Sequence, residues 1–150
     1  MEDWINEIYD ELNILFKIKN PIPLELIESD NLYGYVASKR YIIEQTNTLN
    51  KRVKNKIITT KYCPYAIRLA GDWVEVSYNK MRDHLLPFAV RTLIHEIVHY
   101  KIGKSYHSKS FYREYFKLCV KYCGHKLNIS KSEVMADKDL LEYINRYVLD

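Results

Sequence analysis

No apolar run approaches the ~20 residues that a membrane-crossing helix needs. Cysteine is scarce as well. Cys63, Cys119 and Cys123 are odd in number and too few for a disulfide scaffold, so reduced thiols in a reducing interior are expected. No Cys-x-x-Cys pair exists, which excludes a zinc ribbon. The start of the chain (Met1, Glu2, Asp3, Trp4) lacks the basic residues and apolar stretch of a secretory signal. There is no internal repeat, low-complexity tract or linker. These absences argue against a membrane protein, a secreted mini-domain and a two-domain enzyme. What is present fits one globular domain: 150 residues, 47% hydrophobic and 28% charged.

Charge is segregated along the chain. Residues 1–30 carry eight acidic and two basic side chains, net −6, and residues 133–150 carry five and two, net −3. Residues 31–132 hold nineteen basic and six acidic side chains, net +13, so the chain total of +4 hides a basic middle. Within 38–61 seven basic residues face Glu44 alone. Aromatics interleave with them: Lys39, Arg40 and Tyr41, then Lys51 and Arg52, then Lys61 and Tyr62. That pattern fits an anionic partner such as DNA, or acidic ends folded back over the body; solvated surface lysine is the plainer reading.

Four regions follow from periodicity. In 1–30, Trp4, Ile5, Ile8, Tyr9, Leu12, Leu15 and Phe16 recur at helical steps, predicting a helix over 3–19 stopped by Asn20 and Pro21. A short helical turn fits 23–30. In 31–79, runs rich in Tyr, Val, Ile and Thr at 32–37, 40–45, 56–60, 65–69 and 73–78 predict a small, mostly antiparallel sheet. Residues 46–55 read as a loop or hairpin tip, Gly71-Asp72 as a tight turn, and 73–78 as a half-buried strand. In 80–125, a helix from Pro87 to a Gly103 stop precedes one capped by Ser108 or Ser110 and ended by Gly124. In 126–150, Ser130-x-x-Glu133 resembles a capping box and Asp137 opens a last helix.

His95-Glu96-Ile97-Val98-His99 lies inside the helix predicted after Pro87. Residues four apart stand one above the other on a helix, so two imidazoles can converge on one ion. Glu96 then projects beside the ion, where a carboxylate can take a proton from an activated water. Surface histidines beside an ordinary glutamate are the plainer alternative. A catalytic zinc needs a third protein ligand. His107, beyond the Gly103 turn, is favoured over Glu114, which lies further into the next helix. The metzincin spacing fails, because Ile102 and Ser105 stand where its glycine and third histidine belong.

Thr92 to His99 followed by His107-x-x-x-Phe111 resembles the SprT-like metalloproteases, which include the Spartan proteases and are related to the YgjP-like and WLM peptidases. The similarity spans roughly 66–123. It implies an α+β, zincin-like single domain over 1–150, with Zn²⁺ held by His95, His99 and His107 and Glu96 as catalytic base. It also implies a substrate peptide added as a strand beside 73–78, and, from the Spartan relatives, action on DNA-bound proteins. The expected function is therefore zinc-dependent endopeptidase chemistry, in the cytoplasm or, if DNA-linked, in the nucleus or nucleoid. The alternatives are a non-catalytic, zinc-containing DNA-binding domain and a latent minimal gluzincin-type peptidase with Glu114 as third ligand.

Other features have plainer readings. Cys119, Cys123 and His125 could hold a second metal, but Cys119 falls on an apolar helical face and core packing is expected. His84 suits a turn. Tyr100 and Tyr106 could donate to an oxyanion or simply pack. The acidic 133–150 segment could close over the cleft as a latch, with Asp137, Asp139 or Glu142 reaching the metal.

Overall fold

The computed structural model describes the backbone of residues 1–50 and 53–149, and the side chains of those outside 45–57. Among the described residues, six helices and a three-stranded sheet make a small α+β domain. Helix α1 spans Glu2–Leu15, β1 Leu24–Ile27, β2 Gly34–Asn50 and β3 Val53–Ala70. Helices α2 (Gly71–Met81), α3 (Phe88–Ile102), α4 (Lys109–Leu127), α5 (Lys131–Ala136) and α6 (Lys138–Leu149) follow. None of the described helices is long and apolar enough to cross a membrane.

Helix α3 is the hub. Ala89, Val90, Leu93, Ile94, Ile97 and Val98 are all buried, because α1, α2, α4 and the sheet pack around it. The sheet order is β1-β3-β2, with β1 parallel and β2 antiparallel to β3. Gly34 lets the sheet settle on α3. A Cβ there would meet Leu69 Cδ2 at 2.8 Å, the Arg68 carbonyl at 3.0 Å and Thr92 Cγ2 at 3.1 Å. Helix α2 is held to α3 by a stack: Tyr33 on Trp73 at 4.2 Å and Trp73 on Phe88 at 5.1 Å.

Several boundaries differ from the sequence reading. The 73–78 strand is the middle of α2, and Gly71 opens that helix rather than a turn. Its inward residues are Val74, Ser77 and Met81, a helical spacing masked by the alternation of Val and Tyr with Glu and Ser. Ser77 is buried because its hydroxyl accepts from the Ala89 amide at 2.8 Å, satisfying one free donor of α3's first turn. Residues 24–27 form β1, not a helical turn. Helix α1 ends at Leu15 rather than 19. Lys17 turns left-handed (φ 55°), and the amides of Lys17 and Ile18 close back on the carbonyls of Ile14 and Asn13 in a Schellman motif.

Gly124 does not end α4 either. The chain continues to Leu127 and closes through left-handed Asn128. Gly124 is needed instead where the chain returns, since a Cβ would lie 3.1 Å from the Ile129 carbonyl. Of the two candidate caps for α4, Ser108 takes the position and Ser110 lies inside the helix; the box at Ser130 with Glu133 forms as read.

The runs at 32–37, 40–45, 56–60 and 65–69 join into two long strands paired from Gly34↔Leu69 to Asn50↔Val53, so the described part of 46–55 is the far end of a hairpin, the second of its two readings, rather than a loop. Only the inner end of this hairpin lies on the core, through Ala37, Ala66, Ile67, Leu69 and Ala70. Every described side chain at 38–44 and 58–62 is exposed. At about 3.3 Å per residue the outer hairpin extends on the order of 40 Å. Lys51 and Arg52 lie outside the described residues.

Candidate metal centre

His95 and His99 sit one turn apart on α3, their rings facing the open side of an otherwise buried helix. Gly103 ends α3 in the left-handed region (φ 76°), its amide returning to the His99 carbonyl at 2.9 Å. That reversal brings the Lys104 carbonyl to 2.8 Å from His99 Nδ1 and carries His107 back over the helix. Ser108 then caps α4, accepting from the Phe111 amide at 3.2 Å. Buried Phe111 lies against all three imidazoles, with ring centroids 4.8, 4.4 and 4.9 Å from His95, His99 and His107.

The three Nε2 atoms form a triangle, each pair 3.1 Å apart. Three such nitrogens cannot satisfy one another. Each carries either a proton or a lone pair, so at least two present the same character across the gap. His99 is set by its neighbour: Nδ1–H donates to the Lys104 carbonyl, leaving the Nε2 lone pair inward. Burial, reinforced by His99, His107 and Arg91, pushes His95 down to about 4, which keeps its ring neutral. Burial also lowers His99, against the opposing pull of the Lys104 carbonyl.

A cation removes the conflict. Zn–N bonds of ~2.0–2.1 Å at tetrahedral angles space nitrogens about 3.3 Å apart, within a few tenths of an ångström of the triangle found. The donor set therefore fits zinc or a similar nitrogen-seeking divalent ion.

Glu96 is 5% exposed and lines the same cleft; burial pushes its carboxyl up to about 7. The cleft holds about 580 Å³ between the histidines and the sheet. Its walls come from Gly34, Tyr35, Val36 and Ser38 of β2, Tyr62 and Pro64 of β3, and the 103–107 turn. β2 is an edge strand, so it is β2, and not the helical 73–78, that runs along the cleft.

The remaining sequence candidates fall elsewhere. Glu114 is outside the histidine cluster, its carboxylate held by Lys101 at 2.7 Å. His125 pairs with Glu11 at 2.8 Å, while Cys119 and Cys123 are buried in the core. His84 is exposed in the turn after α2. Tyr100 donates to the Asn20 carbonyl, and Tyr106 is not among the cleft-lining residues. Asp137 caps α6 by accepting from the Leu140 amide at 3.1 Å, and no described residue of 126–149 lines the cleft. Among the described residues, the histidine triad is the only metal-competent cluster.

Two contributors were missed by sequence reasoning. The Lys104 carbonyl carries no side-chain signal, although left-handed Gly103 marks the reversal that delivers it. Tyr62, read only as part of a basic-aromatic run, is a cleft wall. The chain matches no family model, no curated protein and no solved structure.

Proposed function

We propose that this chain is a zinc-dependent endopeptidase of the zincin type, akin to the SprT-like proteases. The observation that carries the reading is the 3.1 Å Nε2 triangle sharing one cleft with the buried Glu96 carboxylate. His95, His99 and His107 would hold the ion. When bound, zinc supplies a Lewis acid that polarises a carbonyl and acidifies water. Glu96 takes a proton from the attacking water as its oxygen bonds to the scissile carbonyl carbon. It returns that proton to the amine as the C–N bond breaks. The edge of β2 at 34–38 can take an extended peptide as an added strand, which holds the scissile bond across the histidines.

Glu96→Gln tests this. The variant should keep its metal, measured by elemental analysis, and lose casein cleavage by at least about a hundredfold. Cleavage at the wild-type rate would refute the mechanism.

A DNA partner is a second reading, favoured by Lys39, Tyr41 and Lys61, which share one exposed hairpin face. Retention on duplex DNA that weakens steeply with salt, and is lost in Lys39→Ala/Lys61→Ala, is its test.

A further inference from the structure

We infer that the hairpin face roofing the cleft continues outward as a binding surface for extended polypeptide, selecting substrates with apolar residues several positions from the scissile bond. This rests on the endopeptidase reading and names a specificity surface for it.

The register carries the inference. Residues directly opposite in an antiparallel pair share a face, and every second position returns to it. Ser38↔Pro64 and Arg40↔Tyr62 are successive pairs on one face, and Ser38, Pro64 and Tyr62 line the cleft. The next pairs on that face are Ile42↔Thr60 and Glu44↔Ile58. Tyr62, Ile42 and Ile58 are 64%, 65% and 66% exposed, an unusual cost for side chains of this size. From Ser38 to Glu44 the strip runs about 20 Å. A peptide leaving the histidines along β2 therefore meets this strip within about six residues.

The chemistry of the two faces decides the occupant. Lys39 and Lys61 belong to the opposite face, with Tyr41 and Ile43. Between 38 and 44 the roof face carries one described cation, Arg40, and one carboxylate, Glu44, around three bulky apolar groups. Over that stretch a polyanion meets no net positive charge. A second copy seated on this face would cover the cleft it roofs. An extended chain with β-branched or aromatic side chains at alternate positions fits both the pleat and the continuity with the cleft.

The test uses the full chain and Ile42→Thr/Ile58→Thr, which keeps β-branched side chains and removes apolar area. The first probe is a fluorescein-labelled decapeptide alternating valine and serine. Anisotropy should show binding to the wild type, weakened at least about tenfold in the double variant. The second is a pair of quenched peptides spanning one mapped casein cleavage, with and without that decapeptide appended. Wild type should favour the longer by about tenfold or more in kcat/KM, through KM. The double variant should lose that preference and keep its rate on the short peptide. Equal decapeptide binding by both proteins overturns the proposal. So does a double variant whose defect is confined to DNA retention or to a dimer that dissociates. If neither quenched peptide is cleaved yet decapeptide binding depends on the two isoleucines, the hydrolase reading fails while the surface stands.

Discussion

Helix α3 and the outer β2–β3 hairpin use the same residue types to opposite ends. Ile94 and Ile97 on α3 are buried where the helices and the sheet close around it, whereas Ile42 and Ile58 on the hairpin stand in solvent. Burial on α3 is what makes its two histidines and glutamate chemically unusual. A packed helix leaves one narrow open line, and every polar group on that line is partly desolvated. The hairpin offers apolar surface with nothing over it, which suits recognition rather than chemistry. The candidate metal centre thus sits on the packed helix and the exposed apolar area on the projecting hairpin.

The contrast can be tested from both sides. Ile94→Ala should cost about 2–5 kcal/mol, because the packed helix cannot collapse into the cavity, and urea denaturation would show it. A cost under about 1 kcal/mol would mean that α3 is not the hub described here. Zinc at roughly a thousandfold above its Kd should add about 4 kcal/mol of stability. Chelation should therefore lower the Tm by on the order of 10 °C. His107→Ala should abolish that shift; a chelator-insensitive wild type would leave the histidines without a metal role. Gly103→Ala should cost about 1–2 kcal/mol. Open space surrounds that position, so the cost is backbone strain alone. Activity should fall further than stability explains, since the same turn sets the Lys104 carbonyl on His99. At the small end, Ile42→Thr should move stability by under about 0.5 kcal/mol. A larger loss would show that something already covers the hairpin.

How much was legible depended on whether the signal was local. The α3 pattern, the Gly103 stop, a serine cap on α4 and the Ser130–Glu133 box all express interactions within a few residues, and each formed where read, the cap at the first of its two candidate serines. The four-residue spacing of His95 and His99 likewise fixed their common face. Failures came where a distant partner overrode the local signal. Residues 73–78 alternate like a strand, yet Ser77 is drawn inward by the Ala89 amide and Trp73 by its stack on Phe88. Thr46, Asn47 and Thr48 left loop and hairpin tip equally open, and only cross-strand pairing carries β2 on to Asn50.

By itself, then, the sequence determined one α+β chain with a half-buried helix presenting two histidines and a glutamate, because helical periodicity is a property of neighbours. Only the tertiary structure decided that His107 rather than Glu114 meets them and that β2 walls the cleft. It also decided that most of the basic run at 38–61 is drawn out into a two-faced ribbon. Those outcomes depend on where a turn aims the chain and which strand pairs with which, and non-local contacts alone set both.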